Sequence, residues 1–252
     1  MIKKFVVIGY GVMGSAIVRR AIAARVLRPA QYTVVTPSMD PVAACKKADV
    51  VLLAVKPQDA LPILQVLRGM LRPQTLVISI MAGVSLSTLQ RGLGHARIIR
   101  AMPNTPAQIG EGMTAWVASV RTSAGDCAFA KKLFGALGKE LHVKNEKYID
   151  AATAVSGSGP AYVFAFVESL IIAAEQLGFT KKQATMLVYQ TVRGSSALLE
   201  ASADDSATLR ERVTSKKGTT AAALAVLQKR GMTRILHDAV FAAHRRAREL
   251  GK

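Results

Sequence analysis

Cysteine is nearly missing from this chain of 252 residues. The two that occur, Cys45 and Cys127, lie far apart and form no metal-binding or redox spacing. The four histidines, His95, His142, His237 and His244, do not cluster with them. No structural metal is therefore expected. Long apolar runs are missing from the front of the chain as well. The longest uncharged one there, 50–55, is far too short to span a bilayer, so no membrane is expected as a partner. No signal-peptide pattern stands ahead of the first apolar run, and the expected location is cytoplasmic. Acidic residues are scarce, with 16 Asp and Glu against 34 Lys and Arg, for a formal net charge of +18. The basic residues come in scattered pairs such as Arg19-Arg20, Lys131-Lys132 and Arg245-Arg246, without a long basic run. Aromatics are only 5% of the chain. That pattern does not point to specific nucleic-acid binding. It fits a positive field that favours anionic substrates and cofactors.

What the chain does have is apolar substance. Half of its residues are hydrophobic and a fifth are charged, which suits a folded core rather than disorder. Short apolar runs at 5–8, 32–35, 50–55, 75–79 and 97–100 read as strands, with 114–117 and 141–143 adding to the sheet's far side. Helical stretches fall between them, at 14–24, 59–70 and 85–90. Strand and helix alternate, which predicts an α/β fold with a doubly wound parallel sheet over residues 1–150. After Ser156-Gly157-Ser158-Gly159-Pro160 only helical stretches follow, at 161–177, 181–201, 219–230 and 234–250. That glycine-serine stretch reads as an interdomain turn ahead of a helix, with a boundary inside 148–156. Residues 151–252 then form an all-α domain. Its first helix carries a single charge, Glu168, between 161 and 174. A helix apolar nearly all round must be buried on several sides, and a second copy of the chain would do that, so a homodimer is expected.

Gly9-Tyr10-Gly11-Val12-Met13-Gly14 fits the pattern G-x-G-x-x-G. It follows the first strand and opens a helix, the context in which such a loop binds a dinucleotide. Gly9 permits the tight turn, Gly11 lets the backbone approach a pyrophosphate, and Gly14 lets helix and strand pack closely. The helix N-terminus offers free N–H groups to the phosphate. The alternative is a purely structural strand-turn-helix. Past the second strand the chain reads Thr36-Pro37-Ser38-Met39-Asp40. No acid follows that strand at once, although Asp40 could serve a ribose diol. Thr36 and Ser38 could instead bond a 2′-phosphate, which leans the reading to NADP over NAD. Asn104, in a rigid proline-flanked loop at a strand end, is a candidate nicotinamide-side contact. Thr219 and Thr220 open a helix after Gly218, and a helix start is a ready carboxylate site. Plain N-capping is the other reading of those threonines.

Five further stretches occur in one order: Leu53-Ala54-Val55-Lys56-Pro57-Gln58, Ser79-Ile80-Met81-Ala82-Gly83-Val84, Arg100-Ala101-Met102-Pro103-Asn104-Thr105-Pro106, Ser156-Gly157-Ser158-Gly159-Pro160-Ala161-Tyr162, and Val213-Thr214-Ser215-Lys216-Lys217-Gly218-Thr219-Thr220-Ala221. In this order and spacing the chain resembles the pyrroline-5-carboxylate reductase family over nearly its whole length. The resemblance implies NAD(P)H-dependent reduction of the C=N bond of 1-pyrroline-5-carboxylate to L-proline, the last step of proline biosynthesis. It also implies an N-terminal Rossmann domain, a helical dimerisation domain, and dimers that often assemble into decamers. Carried onto this sequence, Ile8, Gly9, Tyr10, Gly11, Val12 and Met13 would hold the pyrophosphate. Ala54, Val55, Lys56 and Pro57, with Ile80, Met81 and Ala82, would line the cofactor toward the nicotinamide. Thr36 and Ser38 would sit at the adenosine ribose. Thr219 and Thr220 would bind the substrate carboxylate through backbone N–H, and the Thr220 hydroxyl would reach the ring nitrogen. Glu146 falls where the family has an acidic residue near the substrate.

The sequence departs from that family in three places. Residues 41–48 replace a helix and a further strand, which shortens the adenosine side. Ser215-Lys216-Lys217-Gly218 stands for Ser-Pro-Gly-Gly, so Lys217 takes a glycine's place, either straining the loop or adding charge attraction for a carboxylate. Asp204-Asp205-Ser206 stands for a Glu-His-Pro run. Two other functions remain open on the residues alone: a reductase of another cyclic imine, and a non-catalytic dinucleotide-binding protein.

Overall fold

The computed structural model describes residues 2–250. Seven strands form one sheet in the order β2-β1-β3-β4-β5-β6-β7. They are β1 (Phe5–Ile8), β2 (Tyr32–Val35), β3 (Val50–Leu53), β4 (Leu76–Ser79), β5 (Ile98–Met102), β6 (Gly112–Ala118) and β7 (Gly138–His142). All neighbours are parallel except β5 and β6. The expected doubly wound sheet is present, with one antiparallel pair added.

The helices α1 (Val12–Ala23), α2 (Pro41–Cys45), α3 (Ala60–Leu67), α4 (Leu86–Leu93) and α5 (Ala124–Gly135) belong to the sheet. Successive strand residues face opposite sides, so each strand feeds two cores. Phe5 and Val7 join Ile17, Val18 and Ala21 of α1 and Leu133 and Phe134 of α5. Val6 and Ile8 join Leu64 and Leu67 of α3 and Leu89 and Leu93 of α4. Covering on both faces is why β1, β3 and β4 read as unbroken apolar runs rather than as alternating ones. β2, at the sheet edge, is only partly buried.

Local polar chemistry sets the helix starts. Asp40 caps α2 by accepting from the Val42 N–H, Ser85 caps α4 through the Thr88 N–H, and Ser123 forms a reciprocal box with Asp126 at α5. The α5 helix, the short α2, and a further helix at 206–212 are elements that apolar periodicity alone did not reveal.

The remaining helices are α6 (Lys147–Ala152), α7 (Gly159–Gln176), α8 (Lys181–Ala201), α9 (Ser206–Arg212), α10 (Thr219–Lys229) and α11 (Met232–Glu249). Residues 156–160 do not form a loop. A π-helical turn, Thr153–Gly157, continues α6, Ser158 keeps right-handed helical angles, and α7 follows. The result is one helix of 30 residues, Lys147–Gln176. Of the two glycines that suggest a turn, Gly157 serves close packing instead, since a β-carbon on it would lie 2.9 Å from Cε of Met102, while nothing lies within 4 Å of one on Gly159. By length and composition alone this helix could cross a membrane.

Chain contacts divide the described residues into two compact units, 2–160 with 241–250, and 161–240. The division falls inside helices, and the C-terminal end of α11 belongs with the sheet rather than with the other helices. Within 161–240 the helices bury little. No residue of α7 is buried, and α8 buries only Ala184 and Val188. Phe164, Phe166, Ile172, Met186 and Tyr189 are all exposed. Apolar surface on this scale marks a face that another protein surface covers.

Candidate active site

The ends of β1, β3 and β4 lie level. Ile8 pairs with Leu53, and Leu53 with Ser79. Just beyond, the Ala54 N–H donates to the Ile8 carbonyl at 2.8 Å and the Ile80 N–H to the Leu53 carbonyl at 3.0 Å. Gly9, Ala54 and Ile80 therefore stand side by side. From β1 the sheet grows one way to β2 and the other way to β3, and such a switch point is where open α/β sheets bind ligands. The structure thus gathers the predicted residues of the glycine loop, of 54–57 and of 80–82 on one rim.

Each glycine of the loop has its own geometry. Gly9 has φ +92°, and a β-carbon there would lie 2.5 Å from the Ala54 carbonyl carbon. One on Gly14 would lie 2.3 Å from the Gly9 oxygen. Both positions exclude side chains on steric grounds. Gly11 is different: nothing lies within 4 Å of where its β-carbon would be. Gly11 is also the residue before α1, and no side chain caps that helix. The first-turn N–H groups thus face open space, the form of an anion site at a helix start. Beside it Tyr10 is partly exposed, its phenol pKa raised by burial and by the neighbouring Tyr32.

On the adenosine side, Thr36 and Ser38 follow β2, both exposed, with their hydroxyl oxygens 3.0 Å apart. Asp40 is occupied as the cap of α2, its Oδ1 accepting from the Val42 N–H at 2.9 Å. No other acid stands in that loop. Among the described residues no strand lies outside β2, in keeping with the shortened sequence there.

On the other side of the rim, Lys56 is exposed and Val55 and Pro57 are half-buried. Ile8 and Met81 are only 5% and 2% exposed. Their side chains belong to the core, so what they offer the rim is backbone. The Met81 N–H donates to Ser79 Oγ at 3.3 Å, which fixes the loop as it leaves β4. The Asn104 amide is engaged at both ends. Its Nδ2 donates to the Ser156 carbonyl at 3.0 Å, and its Oδ1 accepts from the Met113 N–H at 2.8 Å. It ties β5 and β6 to the π-helical turn.

Glu146 is also engaged. Its Oε1 accepts from Nη1 of Arg100 at 2.8 Å and from the Leu86 N–H at 2.7 Å. Nη2 of Arg100 donates to Oδ1 of Asp150 at 2.6 Å. Arg100 is 3% exposed on β5, and two carboxylates answer one buried guanidinium. Arg100 and Asp150 were not among the expected site residues. The signal lay in an arginine within the strand run Ile-Ile-Arg-Ala-Met, because a buried charge needs partners.

In the unit 161–240, Gly218, Thr219 and Thr220 lie together at the start of α10. Gly218 precedes the helix, and no side chain caps the first-turn N–H groups. The preceding turn is tight: the Gly218 N–H donates to the Ser215 carbonyl at 3.0 Å, and a β-carbon on Gly218 would lie 2.2 Å from Ser215 Oγ. Lys217 sits at φ +63°. The first of the two readings of the lysine pair, a strained loop, therefore has a structural basis. Asp204 pairs with Arg212, and Asp205 caps α9 by accepting from the Thr208 N–H at 2.8 Å, so both acids serve the local fold.

Comparison with known proteins agrees with this layout. Residues 146–250 match the family described as pyrroline-5-carboxylate reductase dimerisation, and residues 4–83 match NADP oxidoreductase coenzyme F420-dependent. The pyrroline-5-carboxylate reductase of Synechocystis is 41% identical, over 98% of this chain and 97% of that protein. The chain belongs to the pyrroline-5-carboxylate reductase family. A reductase of this family from Coxiella burnetii has a TM-score of 0.90 at 35% identity, with both chains covered in full. The Plasmodium falciparum pyrroline carboxylate reductase, solved with NADP bound, has a TM-score of 0.92 at 29% identity, over 99% of this chain and 98% of that one. The dimerisation match covers the helices with exposed apolar faces, so the family explains them as the surface of a homo-oligomer.

Proposed function

We propose that this protein reduces 1-pyrroline-5-carboxylate to L-proline with NADPH. The observation that carries the reading is the open Gly11 position before an uncapped α1, on the same rim as Ala54 and Ile80, in a chain of this family. A dinucleotide fits these residues: the cradle is open where a β-carbon would block a pyrophosphate and closed at Gly9 and Gly14. When bound, the reduced nicotinamide supplies the hydride.

The first-turn N–H groups of α1 hold the pyrophosphate, with Val12 and Met13 supplying donors. Thr36 and Ser38 hold the ribose phosphate. Oδ1 of Asp40 is engaged as a helix cap, while the two exposed hydroxyls of Thr36 and Ser38 stand ready for a phosphate, which favours NADPH over NADH. Backbone at 54–57 and at 80–82 sets the height of the nicotinamide end. The uncapped N–H groups of Thr219 and Thr220 bind the substrate carboxylate. The Thr220 hydroxyl holds the ring nitrogen and its proton, which keeps the imine carbon electrophilic. Such a reaction depends mainly on distance and orientation, so it needs no histidine or lysine base. The reading includes a cytoplasmic dimer that assembles further into a decamer, and no nucleic-acid or membrane partner.

The test is oxidation of NADPH and NADH by the purified protein with pyrroline-5-carboxylate, alongside Thr220→Ala. Substrate-dependent oxidation that Thr220→Ala weakens by about tenfold or more supports the assignment. No oxidation with either cofactor, in protein that is folded and oligomeric, rejects it.

A further inference from the structure

The end of α11 returns to the cofactor rim. Gly83 closes the loop after β4, is buried, and has φ +76°. A β-carbon on it would stand 2.6 Å from Cβ of Leu250, 2.8 Å from that residue's carbonyl carbon and 2.9 Å from its oxygen. Such overlap means that Leu250, at the end of α11, presses its Cβ and backbone directly on this loop. Leu250 follows directly on α11, its N–H donating to the Arg246 carbonyl at 3.1 Å. Residues 241–250 cluster with the sheet, not with the helices before them.

The same loop is held from a second side. Three residues on, the Leu86 N–H donates to Glu146, whose carboxylate is itself fixed by buried Arg100. Between these anchors the chain carries Gly83, Val84 and Ser85, and immediately before them Ile80, Met81 and Ala82. A backbone rim can set the height of a ring only if it does not move. Neither Leu250 nor Gly83 offers a polar side chain, so their contact does no chemistry of its own.

We propose that the last turn of α11 is a positioning element for the cofactor, with Leu250 bracing the loop 80–83 through Gly83. The inference rests on the reading of that loop as the nicotinamide rim. It assigns a role to the C-terminal turn that neither the glycine loop nor the α10 threonines supply. Loss of the brace leaves every cofactor-contacting residue in place and loosens only its backbone. The cost should therefore appear in cofactor binding before it appears in stability.

The experiment compares the full-length chain with a variant ending at Glu249 and with Gly83→Ala, which evicts the contact from the other side. Hydrogen exchange of the amides at 80–86 is followed without cofactor, and NADPH affinity by fluorescence titration. The expected result for both variants is exchange at 80–86 faster by about tenfold, corresponding to about 1.4 kcal/mol of lost protection. The NADPH dissociation constant should rise about fivefold in both; the variant ending at Glu249 should keep a melting temperature within about 3 °C of the full-length chain, whereas Gly83→Ala adds left-handed backbone strain and should melt several degrees lower. Unchanged exchange and affinity in the shortened chain would overturn the proposal. So would protection lost evenly across the sheet with a falling melting temperature in the shortened chain, because that marks a purely structural contact. A full-length chain that binds no dinucleotide would reject the reading of the rim, while the exchange comparison would still decide whether the brace exists.

Discussion

Arg100 and Glu146 meet at 2.8 Å, and the same carboxylate oxygen holds the Leu86 N–H at 2.7 Å. This makes Glu146 a link between the strand β5 and the start of α4. It is a different role from the substrate contact that family resemblance implies for this position. Glu146→Gln keeps an acceptor for Leu86 and removes one charge. The expected loss is about 1–2 kcal/mol of stability, with the KM for pyrroline-5-carboxylate within about twofold of the parent. A KM raised tenfold without loss of stability would return Glu146 to the substrate. Arg100→Met leaves both Glu146 and Asp150 without their cation. Since both carboxylates retain some water, the expected cost is about 2–4 kcal/mol, at the lower part of the range for a broken buried pair. Chemical denaturation of the three proteins measures it.

The three glycines of the loop separate folding from binding. Gly11→Ala meets nothing within 4 Å and keeps an ordinary backbone angle, so the fold should be unaffected. The added methyl stands where the pyrophosphate must approach, and KM for NADPH is expected to rise about tenfold or more. Gly9→Ala meets the Ala54 backbone at 2.5 Å and adds strain at φ +92°. It should cost more than about 2 kcal/mol of stability whether or not cofactor is present. Melting curves and cofactor titrations on the two variants test the contrast, and equal effects on both would contradict it.

Lys217 sits in the left-handed region at φ +63°, where a lysine costs about 1 kcal/mol and a glycine does not. Lys217→Gly should stabilise the turn before α10 by about 0.5–1 kcal/mol, a difference visible in the denaturant midpoint. If Lys217 attracts the substrate carboxylate, the same variant raises the substrate KM, and the effect shrinks as salt rises. A change in stability with an unchanged KM assigns the lysine to the loop alone.

The sheet was readable because its strands are covered on both faces. An unbroken apolar run as short as Phe5-Val6-Val7-Ile8, stopped at once by glycine, suits a strand buried on both sides. The glycine loop was readable because its three positions answer to three distinct steric demands. The stretch 156–160 misled, because glycine, serine and proline suggest a turn while here the chain stays helical and Gly157 packs close against Met102. The links from Asn104 to Ser156 and Met113 join residues 52 and 9 positions apart, and no local pattern encodes such partners. The same holds for Leu250 on Gly83. Distant contacts of this kind are set by how elements pack, not by the spacing within any one of them.

His95 gives the stability a pH dependence. The ring is buried, and its Nε2 lies 2.7 Å from the Thr75 carbonyl. A neutral ring donates that hydrogen bond. Burial, opposed in part by the Thr75 contact, holds its pKa below the usual 6.5. The unfolded chain therefore binds a proton at a pH where the folded chain does not. Stability from this group is fully present above pH 6.5 and is lost as the pH falls from there through the lowered folded value. His95→Gln keeps a donor for Thr75 and cannot take up the proton. The parent should lose stability more steeply than the variant as the pH falls below 6.5. Urea denaturation at half-unit steps of pH measures the two slopes, and parallel slopes would rule His95 out as the group responsible.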